Sequence, residues 1–206
     1  LGYKNPIFGT CTHPGRDRTD WREIERQFHI SGIGSVRTDG NWGAFEKSPG
    51  DYSGNNGHHF EAENSAWAQT RSPNFFADRA AEGTNNLLIF NPTNGLYSEM
   101  AQGPSTYERI AASPEALAAL EKATEELARQ YKGRVNWFEL GNELNFQRVE
   151  VMSPEAYTRI CQAAYKGFKK GNPDCIVLSH GHSRAAEDLI YRYLMEAKRN
   201  GLGKPF

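Results

Sequence analysis

Val135-Asn136-Trp137-Phe138-Glu139-Leu140-Gly141-Asn142-Glu143-Leu144-Asn145 is an apolar run that stops at a glycine and then sets an amide beside a carboxylate. Its first six residues read as a strand, and the Asn142-Glu143 pair lies where that strand ends. A β/α barrel presents its chemistry from residues at the C-terminal ends of its strands. Glu143 is therefore the first candidate for a proton donor, with Asn142 as its neighbour.

Working outward, Ile7-Phe8-Gly9-Thr10-Cys11, Ser35-Val36-Arg37-Thr38-Asp39, Asn86-Leu87-Leu88-Ile89-Phe90 and Cys175-Ile176-Val177-Leu178-Ser179 read as further strands. Helix signals fall between them. Thr19 or Asp20 caps a helix that carries Trp21, Ile24 and Phe28 on one face, and Gly32 and Gly34 stop it. Phe75, Phe76 and Ala80 indicate a weak helix within residues 73–82. Ser113-Pro114-Glu115 and Ser153-Pro154-Glu155 are matching helix starts, with proline in the first turn followed by an acid. The first leads to Leu117, Leu120, Leu127 and Tyr131, and the second to Tyr157, Ile160, Cys161, Ala164 and Phe168. A last helix carries Leu189, Ile190, Tyr193, Leu194 and Ala197 as far as Gly201. Residues 40–67 and 91–113 read as long connections, of the kind that carry function.

Strands that alternate with crossover helices must run parallel, so the class is α/β. Two closures satisfy that pattern: an open doubly wound sheet and a (β/α)8 TIM barrel. The first strand-to-helix turn lacks both the GxGxxG fingerprint and the P-loop glycine and lysine pattern, which removes the main support for a nucleotide-binding open sheet. Polar residues at all five strand ends favour the barrel. A barrel takes eight strands and typically about 250 residues. The 206 residues thus read as one domain, 1–206, that supplies about the first five β/α units and is incomplete at its C-terminus. Unpaired edges on the first and fifth strands would need covering. The expectation is that the protein continues beyond Phe206 or that another chain completes the sheet.

Composition narrows the partners. With 24 Lys and Arg against 25 Asp and Glu and no basic block, the chain lacks the charge footprint that a nucleic acid selects. No apolar run reaches the roughly 18 residues that span a bilayer. Cys11, Cys161 and Cys175 have no CxxC spacing, and the adjacent His58 and His59 do not share a face, so neither a metal nor a cofactor is expected. The start at Leu1-Gly2-Tyr3-Lys4 has neither Met nor a secretory pattern, so either a leader has been removed or the numbering begins inside a longer protein.

His13, Arg37, Asp39, Asn91, Asn142, Glu143 and His180 would form one concave polar rim if the five segments are barrel strands. Glycoside hydrolysis needs two carboxyls flanking the scissile bond, one to protonate the leaving oxygen and one to attack the sugar or activate water. Glu143 fits the first role, and Asn142 fits a hydrogen bond to a neighbouring sugar hydroxyl. Taken locally, the same pair also fits a helix N-cap with a first-turn acid; the strand-end pattern favours the rim. Arg37 reads equally as a sugar contact and as half of a buried pair with Asp39. His13 and His180 read first as satisfied rim histidines and second as sugar contacts. Trp42, at the start of the loop after the second strand, is the expected sugar platform, while Trp137 reads as core and Glu139 as structural.

The segment 137–145 resembles the Asn-Glu acid/base motif at the end of strand four in clan A glycoside hydrolases, with surroundings similar to family 39. Val36 to Asp39 with Trp42, Glu46, Gly50 and Tyr52 resembles the strand-two segment of those enzymes, and Asn91-Pro92 through Leu96-Tyr97 resembles their strand-three loop. The resemblance runs from Phe8 to about Gly203. It implies a retaining hydrolase acting on an oligo- or polysaccharide, with Glu143 as acid and then base and Asn142 orienting the sugar. It also implies a nucleophilic glutamate on strand seven, expected beyond residue 206, since Gly203-Lys204-Pro205-Phe206 resembles the approach to a sixth strand. Residues 53–72 depart from the pattern in being longer and more polar. Two other readings stay open: a carbohydrate-binding or scaffolding protein on a hydrolase-like barrel, and an open-sheet enzyme. A polysaccharide substrate favours an extracellular or periplasmic site.

Overall fold

A computed structural model describes residues 5–11, 21–54, 75–144 and 152–181, together with residues 192, 195, 196, 198 and 199. Its strands are β1 (Asn5–Cys11), β2 (Ile33–Asn41), β3 (Asn85–Asn91), β4 (Trp137–Leu140) and β5 (Ile176–Leu178). Between them lie α1 (Trp21–Ser31), α2 (Trp42–Phe45), α3 (Phe75–Ala81), α4 (Thr106–Ala112), α5 (Pro114–Tyr131) and α6 (Pro154–Gly171). The strands form one sheet in the order β1-β2-β3-β4-β5, and every neighbouring pair is parallel. A doubly wound sheet reverses its strand order at a switch point. This one does not, so among the described residues the sheet winds in one direction, as the wall of a barrel does.

The helix starts lie where the sequence puts them. Ser113 and Ser153 accept from the Ala116 and Ala156 N–H groups, each at 3.1 Å, with Pro114 and Pro154 in the first turns. Gly32, at φ 70, ends α1 in the left-handed region that a side chain disfavours. Two short helices arise inside stretches read as loops. Asn41 caps α2 by accepting from Ala44 N–H at 3.2 Å, and Ser105 caps α4 by accepting from Glu108 N–H at 3.2 Å. Of the expected last helix, the residues 192, 195, 196, 198 and 199 are helical; its inward-facing residues, the Thr19 or Asp20 cap and His58-His59 lie outside the described residues.

Alternation divides the sheet into two faces. Along β2 the odd-numbered residues are half-buried and the even-numbered ones buried. Leu88, Phe90, Phe138, Leu140 and Val177 point to the buried side, where Phe168 of α6 stacks on Phe138 at 4.4 Å and meets Phe90 edge-on at 5.8 Å. The other face carries Arg37, Leu87, Trp137 and Ile176 in one register row and Asp39, Ile89, Glu139 and Leu178 in the next. Trp137, read as core, is thus half-buried on the face opposite the helices. That face holds the chemistry.

Helices α5 and α6 lie side by side and meet through glycine. A Cβ at Gly167 would sit 2.1 Å from the Glu121 carbonyl oxygen and 2.1 Å from Thr124 Oγ1, and one at Gly171 would sit 2.1 Å from the Glu125 carbonyl. Backbone atoms cannot yield as a flexible side chain would. In an exposed helix, glycine to alanine stabilises by about 1 kcal/mol; here the sign reverses. Gly167→Ala should cost about 1–3 kcal/mol in a urea melt through overpacking. A gain in stability would show that the two helices are not in contact at this point.

Candidate functional site

The site is organised by an ion pair between strands. Arg37 Nε and Nη2 donate to Glu139 Oε2 and Oε1, both at 2.7 Å, joining residues 102 apart in the sequence. This fork-to-fork geometry is the strongest form of the interaction. Glu139 is 5% exposed, and its Oε1 also accepts from Gly181 N–H at 2.9 Å. The hydrogen bonds it donates to Glu139 hold the Arg37 guanidinium well above its ordinary value, so it stays charged. Arg37 Nη1 also reaches Cys11 Sγ at 3.6 Å, which brings β1 into the same cluster.

Asn142 and Glu143 sit at the end of β4 on top of that pair, both exposed. Arg37 Nη2 donates to Asn142 Oδ1 at 2.7 Å. Arginine can only donate, so the carboxamide oxygen must face it and the NH2 of Asn142 turns outward as a donor. Glu143 N–H donates to the Gly181 carbonyl at 2.8 Å, and residues 142 and 181 form a parallel bridge. Among the described residues Glu143 alone, glycines aside, has a positive φ, at 50. Left-handed backbone costs a side-chain-bearing residue roughly 1–2 kcal/mol. Gly141 makes the preceding turn possible: its φ is 84, and a Cβ there would lie 2.5 Å from Leu144 Cδ1.

The remaining rim residues divide. Asp39 is half-buried on the same face of β2, but the ion partner of Arg37 is Glu139 and not Asp39, because the cross-strand fork reaches a carboxylate that would otherwise be buried alone. Asn91 Oδ1 accepts from Thr93 Oγ1 at 3.1 Å and from the Tyr107 hydroxyl at 3.3 Å, tying the end of β3 to α4. His180 is 1% exposed and packs edge-on against Tyr157 at 4.8 Å, which places it behind the rim and not on it. His13 lies outside the described residues. Glu139 and Gly181 were not expected in the site. The signal for Glu139 was present: a carboxylate in mid-strand on the same face as Arg37 must be paired if that face is covered.

Trp42 overturns the expectation of a sugar platform. It is 0% exposed, stacked on Tyr97 at 5.0 Å, and its Nε1 donates to Glu46 Oε2 at 2.6 Å. Direct continuation of β2 into α2 turns the ring inward instead of into a loop. The buried Glu46 carboxylate also accepts from the Tyr97 hydroxyl at 2.7 Å and from Gly50 N–H at 2.8 Å, so it clamps the turn after α2 to the segment after β3. Among the described residues no three His, Cys, Asp or Glu side chains gather to hold a metal ion, and no helix is long and apolar enough to cross a membrane.

No family model matches the sequence, and no curated protein does. Among solved structures, the chain is similar to a family 39 glycoside hydrolase from the gut symbiont Bacteroides cellulosilyticus WH2, with a TM-score of 0.63 and 23% identity over 86% of this chain and 32% of that one. It is similar to endo-glycoceramidase II from Rhodococcus sp., solved as a lactosyl-enzyme intermediate, with a TM-score of 0.56 and 13% identity over 86% of this chain and 49% of that one. A glucosidase from Croceicoccus marinus gives a TM-score of 0.54 and 16% identity over 96% and 43%. The chain thus spans 32–49% of the length of these three proteins.

Burial around these loops gives the structure a pH dependence. Desolvation first, then the charges of Glu46, Glu126 and Glu125, push the Tyr52 hydroxyl up to about 12. Desolvation and the bond to Glu46 raise Tyr97, and burial pushes the Cys161 thiol up to about 12. A group whose folded pKa is raised stabilises fully below its unfolded value and loses that contribution as pH climbs through the folded one. Ordinary values are 9.0 for the thiol and 10.0 for the tyrosines. Urea midpoints should therefore fall between pH 9 and pH 12; a midpoint that holds steady or rises over that range would mean these side chains are solvated.

The likeness to these solved structures, together with the unreversed strand order, gives this chain the fold of part of a β/α barrel like that of the glycoside hydrolases above, seen over five successive parallel strands.

Proposed function

We propose that the protein carrying this chain is a retaining glycoside hydrolase acting on an oligo- or polysaccharide, with Glu143 as general acid and then general base. The observation that carries this reading is the backbone of Glu143. An exposed carboxylate held at φ 50 by the Gly181 carbonyl, at the C-terminal end of a central strand, is strained in a way that packing alone does not require. The outward-turned NH2 of Asn142 beside it is a donor for a sugar oxygen next to the reacting carbon. Such a contact strengthens as positive charge develops on the sugar in the transition state.

In this reading, Glu143 first protonates the departing glycosidic oxygen while a second carboxylate attacks the anomeric carbon. It then takes a proton from the water that releases the sugar. Glu139 is not assigned that role, because it is buried beneath Arg37 and Gly181, which hold it away from the exposed pair. The nucleophile is assigned to a later strand, about 5–5.5 Å from Glu143 in the closed barrel. The same observation motivates the second reading, a protein that binds carbohydrate on this fold without cleaving it.

Glu143→Gln tests the assignment in the protein as it occurs. Turnover of unactivated oligosaccharides should fall by about 10²–10⁴-fold, the usual contribution of a general acid, with an unchanged circular dichroism spectrum. Unchanged turnover would remove Glu143 from the chemistry.

A further inference from the structure

We propose that Glu139 is the positioning residue of the Asn142–Glu143 pair, acting on Asn142 through Arg37 and on Glu143 through Gly181; this rests on the reading of Glu143 as acid and base. The Glu139 carboxylate collects three N–H donors, two from the middle of β2 and one from the segment after β5: Arg37 Nε and Nη2 at 2.7 Å each, and Gly181 N–H at 2.9 Å. From each intermediary a second bond runs on to the pair. Arg37 Nη2 continues to Asn142 Oδ1 at 2.7 Å, and the Gly181 carbonyl receives Glu143 N–H at 2.8 Å. Both halves of the Asn-Glu unit therefore hang from one carboxylate, each through a single intermediary.

The geometry separates this role from two simpler ones. Glu139 is 5% exposed with both oxygens engaged, so it does not touch a substrate. An ion pair serving stability alone needs no onward bonds to two exposed residues. The φ of Glu143 supplies the reason for the tether: a side-chain-bearing residue leaves the left-handed region once nothing holds its N–H. Without Glu139, Gly181 is held on one side only, the bridge from Asn142 to Gly181 slackens, and Glu143 rotates away from the leaving oxygen. A displacement of about 1 Å at a reacting group costs about 100-fold in rate.

The test uses Glu139→Gln and Glu139→Asp in the protein as it occurs. Gln presents an NH2 to either Arg37 or Gly181 and breaks one link; Asp keeps the charge but withdraws it by one methylene. Arg37→Lys, which keeps a cation and loses the fork, perturbs the same tether without altering Glu139. The probes are phenyl and 2,4-dinitrophenyl glycosides of glucose, galactose, xylose and mannose. For the phenyl glycosides, whose leaving group needs a proton, kcat/KM per folded molecule should fall about 10- to 100-fold. For the dinitrophenyl glycosides, which leave unprotonated, the fall should be about tenfold smaller, what remains being the transition-state contact of Asn142 with the sugar. An equal fall on both classes, or no fall on either, overturns the proposal. Amide hydrogen exchange supplies a readout that needs no activity. Exchange at Glu143 should quicken by about tenfold more in the variants than exchange at Leu127, a core reporter of global stability. If the unsubstituted protein cleaves none of the probes, the exchange at Glu143 decides on Glu139, while the effect of Glu143→Gln on oligosaccharide turnover decides on the hydrolase reading; protection at Glu143 that changes only in step with Leu127 overturns the proposal.

Discussion

The bidentate pair between Arg37 and Glu139 is the constraint on which the rest of the site depends. Two charges on the sheet face opposite the helices would each be expensive to bury alone, and removing either partner of such a pair typically costs about 3–5 kcal/mol. Their mutual requirement fixes how the middle of β2 stands to the end of β4, and Gly181 brings the segment after β5 into the same hydrogen-bond system. The chemistry proposed for Asn142 and Glu143 sits on that base. Neither residue needs to be held by substrate, because strand ends already fix the carboxamide orientation of one and the backbone of the other.

Support for that base comes from the opposite face. Phe168 locks α6 onto Phe90 and Phe138, and the glycines at 167 and 171 let α5 approach α6 closely enough to form one continuous layer over the strands. A second buried carboxylate does similar work nearer the rim. Glu46 accepts from Trp42, Tyr97 and Gly50, so the segments that follow β2 and β3 are joined by side-chain bonds as well as by the sheet. Charged and aromatic residues here set positions, while the groups proposed for chemistry remain exposed.

The sequence made the alternation of strands and helices legible because apolar runs and the Ser-Pro-Glu helix starts are local signals. The strand-end position of Asn142 and Glu143 was legible for the same reason, since they follow a short apolar run. What could not be read locally was partnership. The sequence offers Arg37 either a sugar or Asp39, two residues away, whereas its carboxylate lies 102 residues on, a separation that no local pattern spans. Trp42 was misread because a one-turn helix, too short to show a period, follows β2 without a loop and turns the indole inward. His180 was misplaced for a related reason: a strand-end position does not say whether a ring turns toward the rim or back against Tyr157. For α4 a usable signal existed, since Ser105 followed by Glu108 is the spacing of a capping box.

Catalysis of the proposed kind requires an acid fixed before substrate arrives, and that fixity comes from one ion pair rather than from the loop that bears the acid. A double-mutant cycle on Arg37→Leu and Glu139→Leu, read by urea unfolding, measures the pair most directly. The coupling energy should be about 2–3 kcal/mol, the double variant being far less destabilised than the sum of the singles. Additivity within about 0.5 kcal/mol would mean that the two side chains do not hold each other, and would contradict that role for the pair.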